Sequence, residues 1–188
     1  IGQTTFGKGS VQRFKSTNNG QIKFTDSLYY RITGLPTQLY GVEPSLKIPS
    51  LLNEEALGEG AYDNAIKPNN INNAYFVTFK DYDKSALKES FDKRITGSEY
   101  FNKIGEIKKQ RDSNLFLSLN IEQRKMLREA DRNNILELAN LDRNLSGKEE
   151  FANYDEYQKY IAEDEFILDA EIDQSLKVLV DIIETQSW

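Results

Sequence analysis

The 188-residue sequence contains no cysteine and no histidine. The absence of cysteine excludes disulfides, thiolate nucleophiles and cysteine-ligated zinc or iron–sulfur sites. The absence of histidine excludes imidazole metal ligands and a Ser-His-Asp triad built from this chain alone. Acid–base chemistry in this chain must therefore use Lys, Asp, Glu or Tyr. No cofactor is predicted.

The sequence also lacks an excess of positive charge, because 24 Lys and Arg stand against 30 Asp and Glu, a net charge of −6. No basic face of the kind that binds nucleic acid stands out. No apolar run approaches the roughly 18 residues of a membrane-spanning helix. Neither a nucleic-acid partner nor an integral membrane segment is therefore expected. The chain begins at Ile1 without a methionine, inside a predicted strand, which indicates a fragment of a longer protein.

Composition and periodicity divide the sequence into three segments. Residues 1–50 are predicted to be β-rich, with a hairpin turn at Asn18-Asn19-Gly20. Residues 51–75 are rich in turn-forming residues and poor in core-forming ones, so a linker is predicted. Residues 76–188 are predicted to form a mainly α-helical domain. The expected fold class is therefore α+β, with a β-rich portion followed by helices.

Capping residues and apolar periodicity locate the predicted helices. Asp83 is expected to cap a helix that ends at Gly97 in the left-handed conformation. Asn120 is expected to begin a long helix that Gly147 ends. The last helix, over about 168–184, is expected to bury one stripe of side chains, namely Ile172, Leu176, Leu179 and Ile183.

The most informative string is GQTTFGKGSVQ over residues 2–12. Gly2, Gly7 and Lys8 fit the phosphate-binding pattern G-x-x-x-x-G-K, but Gly9 stands where a Ser or Thr should hold Mg²⁺. Such a loop must also open a helix, whereas the residues that follow Gly9 are predicted to form a strand. The sequence therefore does not favour a phosphate-binding loop.

The same string fits a catalytic lysine. An amine buried away from carboxylates loses its proton more easily and is then able to take a proton from a serine hydroxyl. Gly7 and Gly9 let backbone and substrate approach Lys8 closely, and the amide oxygen of Gln12 is a suitable acceptor for the lysine nitrogen. On a straight strand residues 8 and 12 lie about 13 Å apart, so a bend or bulge is predicted between Gly7 and Val11. The remaining interpretation is a Gly-rich β-turn with a solvated lysine.

The string T-F-G-K-G-S-V-Q over 5–12 resembles the lysine motif of the C-terminal processing peptidases, serine proteases that use a Ser–Lys dyad. Gly41-Val42-Glu43-Pro44 resembles the G-V-x-P segment of that family. Gly58-Glu59 and Asp63-Asn64-Ala65 resemble a segment of its long bacterial branch, the tail-specific proteases. Residues 1–50 would then be the C-terminal portion of a peptidase domain.

This resemblance implies roles for the residues of the lysine loop. Lys8 would be the general base, Gln12 its supporting partner, and Gly7 and Gly9 would shape the backbone. In the family the nucleophilic serine and a peptide-binding PDZ domain precede the lysine motif, so neither is expected in this chain. The chain alone is therefore expected to be inactive as a peptidase.

The resemblance also implies substrates, location and partners. The family cleaves proteins at or near apolar C-termini, and its long branch works in the periplasm, where the helical region can meet an adaptor lipoprotein. An alternative from a different class is a non-catalytic helical docking or scaffold module that binds an envelope protein. In that alternative the β-rich portion is a remnant.

Overall fold

The computed structural model describes residues 1–75, 83–113, 116, 118–163 and 170–185. The chain divides into two units, which we call the β unit (Ile1–Lys47 and Leu52–Asp81) and the helical unit (Ile48–Leu51 and Tyr82–Trp188). Among the residues described, the strands lie in the β unit and the long helices in the helical unit. The expected α+β class with mainly helical content is confirmed.

The β unit contains an antiparallel hairpin of β1 (Ser10–Thr17) and β2 (Gly20–Leu28). Its turn lies at the predicted Asn-Asn-Gly, where Gly20 takes a φ of +144° that other residues rarely adopt. The pairing shifts register between Val11 and Gln12, which is a β-bulge. The strand that follows Gly9 also confirms that this loop does not open a helix, as a phosphate-binding loop must.

The segment predicted as a linker, 51–75, belongs to the β unit from residue 52 onward and is hydrogen-bonded to the rest of it at Glu59, Ile71 and Ala74. It contains α1 (Glu54–Leu57) and a 3₁₀ turn (Glu59–Ala61). The Glu59 N–H donates to the Phe6 carbonyl at 2.7 Å, and the Ile71 N–H donates to the Gly34 carbonyl at 3.1 Å. The first of these bonds places the 3₁₀ turn beside the glycine-rich loop that carries Lys8.

The described part of the helical unit contains the helices α2 (Lys84–Thr96), α3 (Glu99–Ser113), α4 (Ile121–Leu145), α5 (Tyr154–Ala162) and α6 (Ala170–Thr185). Buried side chains that form its core include Phe91, Phe101, Ile104, Ile107, Leu138 and Val178. Among the described residues, no helix combines the length and the apolarity needed to cross a bilayer.

The predicted helix ends are confirmed with one exception. The Asp83 carboxylate accepts from the N–H groups of the first turn of α2, and the Asn120 side chain does the same for α4. Gly147 follows α4 with a φ of +65°, as expected. Gly97 does not take the left-handed conformation, because its φ is −82° and the chain continues almost directly into α3.

The predicted buried stripe of α6 is wrong for most of its members. Leu176, Leu179 and Ile183 are about half exposed, at 49%, 52% and 49%. The helix instead buries Gln174 and Val178, which lie on its opposite side at 3.6 residues per turn. Polar interactions with α2 explain this orientation of the helix. Arg94 of α2 donates to the Gln174 side chain at 3.1 Å and to Asp181 at 2.7 Å, so the side of α6 that carries these residues faces α2. Residues 168 and 169, where the helix was expected to begin, lie outside the described residues.

Candidate active site

Two glycines fix the loop that carries Lys8. Gly7 is buried with a φ of +88°, and its carbonyl accepts from the Leu39 N–H at 2.8 Å. A Cβ at Gly9 would lie 2.3 Å from the backbone nitrogen of Gln38 and 2.3 Å from the Thr37 hydroxyl oxygen. Since real Cβ atoms essentially never come so close to backbone, this position requires glycine. The loop is therefore held tightly against 37–39.

The Lys8 side chain forms an ion pair with Glu59. The Lys8 Nζ lies 3.0 Å from Glu59 Oε1, and 44% of the lysine side chain is exposed against 9% of the glutamate side chain. Burial of a carboxylate is costly unless it is paired and hydrogen-bonded. The half-exposed ammonium thus provides the countercharge for a buried acid.

Gln38 completes this arrangement from a fully buried position. Its Nε2 donates to Glu59 Oε1 at 2.9 Å, while its Oε1 accepts from the Gly9 N–H at 2.9 Å. The network therefore runs from the Gly9 backbone through the Gln38 amide to the Glu59 carboxylate and returns to the loop at Lys8. Each buried polar side chain in it has a partner, which makes the arrangement specific.

The electrostatics of this network favour an ionised Glu59. Hydrogen bonds from the Gln38 amide and then from the Lys8 ammonium hold the pKa of the Glu59 carboxyl below its ordinary value. Burial acts in the opposite direction but is the weaker influence. Glu59 is therefore a carboxylate at neutral pH, and among the described residues Lys8 is the charged group that acts on it.

The structure does not bring Gln12 to Lys8. Gln12 is exposed in β1, where it pairs with Thr25 across the hairpin. The lysine ammonium is bonded to Glu59 instead. The bulge at Val11/Gln12 lies at the far end of the segment where a bend was predicted. The role of Gln12 as a supporting residue stays a prediction.

No pattern in the sequence predicts that Gln38 and Glu59 are neighbours of Lys8. They lie 29 residues from Gly9 and 51 residues from Lys8 along the chain, so no local pattern connects them. Glu59 stands in the Gly58-Glu59 pair that forms part of the family resemblance, and this was the available signal. Gln38 has no comparable signal.

An apolar pocket of about 350 Å³ lies next to the same loop. Its walls include Phe6, which precedes Gly7, and the two glycines that flank Glu59; the other apolar side chains are Leu39, Tyr40, Leu52 and Leu57. Phe6 and Leu57 are 48% and 55% exposed. In the part of the chain that the structure describes, no group of three acidic side chains is placed to hold a metal ion.

Comparisons with known proteins identify the chain. Residues 52–184 match the family model described as the C-terminal domain of tail specific protease. Over 191 aligned residues the chain is 31% identical to the tail-specific protease of Haemophilus influenzae, an alignment that covers 91% of this chain. The chain spans 27% of the length of that relative. Because the family model matches more than half of the sequence, the chain belongs to the tail-specific protease family.

Proposed function

We propose that the chain is the C-terminal part of a serine endopeptidase in which Lys8 is the general base of a Ser–Lys dyad. The observation that carries this proposal is the construction of the lysine loop. Gly7 and Gly9 fix its backbone against 37–39, and the buried pair of Gln38 and Glu59 holds the lysine in its resting, charged form beside it. A general base needs such a fixed point of attachment to reach one defined proton.

In the proposed reaction, the neutral Lys8 amine takes the proton of a serine hydroxyl as the hydroxyl oxygen attacks the scissile carbonyl. The resulting ammonium then gives that proton to the leaving amine of the substrate. The nucleophilic serine belongs to the part of the protein that precedes this chain, because no serine here matches the nucleophile motif. Gln12 would support the lysine once that part is in place.

The proposed substrates are proteins with apolar C-termini, which the enzyme processes or degrades in the periplasm. The apolar pocket beside the lysine loop supports this choice, because its exposed aromatic and aliphatic walls suit an apolar side chain. The helical unit is proposed to meet an adaptor lipoprotein. Family membership supports both proposals.

The proposed function is tested by cleavage assays on two proteins, the isolated 188-residue chain and the full-length protease. We expect the chain alone to leave a test protein intact and the full-length enzyme to cleave it. Cleavage should fall when the last residues of the test protein are changed from apolar to acidic, with an internal apolar-to-acidic change as the matched control. Hydrolysis of the test protein by the purified chain would contradict the proposal. Equal cleavage of the test proteins with apolar and with acidic C-termini would also contradict it.

A second candidate function, docking of an envelope lipoprotein by the helical unit, is favoured by the exposed stripe of α6. Changing Leu176 and Leu179 to Asp should prevent recovery of that lipoprotein with the full-length protein, because apolar area would no longer be buried. The thermal midpoint should fall only slightly, since about half of each side chain is already exposed to solvent. Lys177→Asp, which adds an acid off the stripe, is the control. Undiminished recovery with the double variant would contradict docking by this helix.

A further inference from the structure

The contact between Lys8 and Glu59 conflicts with the chemistry proposed for Lys8. A general base must be a neutral amine, whereas a carboxylate at hydrogen-bond distance stabilises an ammonium ion. The observed Nζ–Oε1 distance of 3.0 Å is that of a charge-assisted hydrogen bond. The arrangement in the structure is therefore a resting one, and catalysis needs another.

We propose that Glu59 is the positioning residue of Lys8: it holds the resting ammonium, and the amine acts as a base only after it has turned away from this carboxylate. The inference rests on the proposed function of Lys8 and adds a residue that the lysine motif does not contain. Glu59 touches the lysine and not the reacting atoms, so its role is exerted through Lys8.

Glu59 and Lys8 differ in burial, and this difference indicates which of the two side chains can move. Glu59 is held by the Gln38 amide at its carboxylate and by the Phe6 carbonyl at its backbone N–H. Gln38 is itself fully buried and bonded to the Gly9 backbone. Lys8 has four rotatable side-chain bonds and is 44% exposed. The carboxylate is thus the fixed member, and the lysine side chain is the one that can leave.

The proton balance of this step is simple. In the proposed step Lys8 leaves Glu59 for the serine, at a site away from carboxylates where a neutral amine is favoured, and its ammonium gives one proton to solvent water. Glu59 does not take that proton, because its lowered pKa makes the carboxylate a poor acceptor at neutral pH. The neutral amine then takes one proton from the serine hydroxyl and later gives it to the leaving amine. Glu59 stays ionised throughout, and Lys8 returns to it as an ammonium once its neutral amine has taken up one proton from water.

The inference is tested on the 188-residue chain by competitive acetylation of its amines at mildly alkaline pH, with mass spectrometry to measure the rate at each lysine. Glu59→Gln keeps the shape of the side chain and removes its charge. We expect it to raise the rate at Lys8 by about three- to tenfold, a range discounted for the exposure of the lysine. Lys15, which is exposed in β1, is the internal reference.

The matched control is a second ion pair whose members are both exposed. Lys125 and Glu122 lie 3.0 Å apart with 65% and 71% of their side chains exposed. Glu122→Gln should leave the rate at Lys125 within about twofold, because solvent screens such pairs. An unchanged rate at Lys8 in the Glu59→Gln chain overturns the inference. Should that variant fail to fold, the ¹⁵N-detected exchange of the wild-type Lys8 ammonium must be slower than that of Lys15, and equal exchange overturns the inference.

The pH dependence of the full-length enzyme separates this inference from the proposed function. In Glu59→Gln the acid limb of kcat/KM should move to lower pH, a change that loss of a merely structural contact would not produce. If the acid limb of kcat/KM stays at the same pH in Glu59→Gln while the thermal midpoint is unchanged, Glu59 does not position Lys8. A Lys8→Ala enzyme that keeps full activity overturns the proposed function itself, whatever the acetylation rates show.

Discussion

Replacement of Lys8 by alanine in the full-length protease is expected to lower kcat/KM by about 10²–10⁴-fold, the range typical of a lost general base. The serine hydroxyl would then have no amine to receive its proton as it attacks. Lys8→Arg should be equally inactive, because a guanidinium keeps its charge and cannot accept a proton. Steady-state cleavage of a test protein with an apolar C-terminus measures both variants.

Two controls separate lost chemistry from lost structure. Lys15→Ala removes a cation from the exposed face of the same hairpin and should retain wild-type kcat/KM. Lys8→Ala leaves the buried Glu59 carboxylate without its countercharge, so some stability will be lost. Combining Lys8→Ala with Glu59→Gln should restore the thermal midpoint but not the activity. Recovery of both together would show that the lysine is structural.

Gly9→Ala is expected to destabilise the β unit by about 3 kcal/mol and to abolish activity in the full-length enzyme, since overpacking against atoms that cannot move is costly. The new Cβ would meet the backbone nitrogen of Gln38 at 2.3 Å and its Cα at 2.9 Å. Relief of that clash must separate the loop from Gln38, which breaks the hydrogen bond from the Gly9 N–H. Denaturant unfolding and the cleavage assay measure the two effects.

Gly105→Ala is the matched control, because the chain offers a glycine with the opposite surroundings. Gly105 lies inside α3, and a Cβ there would meet nothing within 4 Å. Alanine is the better helix former, so this change should raise the free energy of unfolding by about 0.5–1 kcal/mol. A Gly9→Ala chain as stable as the wild type would contradict the close approach of the loop to Gln38.

Features set by neighbouring residues could be predicted from the sequence. The Asn-Asn-Gly turn and the caps at Asp83 and Asn120 depend on interactions within a few residues, and all three are confirmed. Gly97 shows the limit of such reasoning, because its conformation depends on how soon the next helix begins. The boundaries of the three predicted segments stay predictions.

Periodicity on α6 identified an apolar face but not its environment. The sequence shows that Leu176, Leu179 and Ile183 share one side of the helix, and burial of that side was the natural expectation. The structure shows the opposite orientation. Arg94 on α2 bonds to Gln174 and Asp181, so the side of α6 that carries these two residues faces the interior. No pattern within α6 contains that information.

In the candidate site, too, local sequence patterns identify some residues and not others. Lys8 could be identified because its flanking glycines and the surrounding motif are contiguous in the sequence. Gln38 and Glu59 could not be placed beside it, because hydrogen bonds across 21 and 51 residues depend on the folded chain. Gln12 was expected from the chemistry of its amide and from the family resemblance, yet the extended strand β1 carries it away from Lys8.

The amine of Lys8 can be removed and restored chemically, which tests its role most directly. These 188 residues hold no cysteine, so Lys8→Cys introduces the one thiol among them, and treated wild type controls for any thiol elsewhere in the protease. Treatment with 2-bromoethylamine then forms a thioether that ends in an amine at the length of lysine. The measurement is kcat/KM of the full-length Lys8→Cys protease before and after treatment, with treated wild type alongside. We expect almost no activity before treatment and a large recovery after it; activity before treatment, or none after complete alkylation, would contradict Lys8 as the general base.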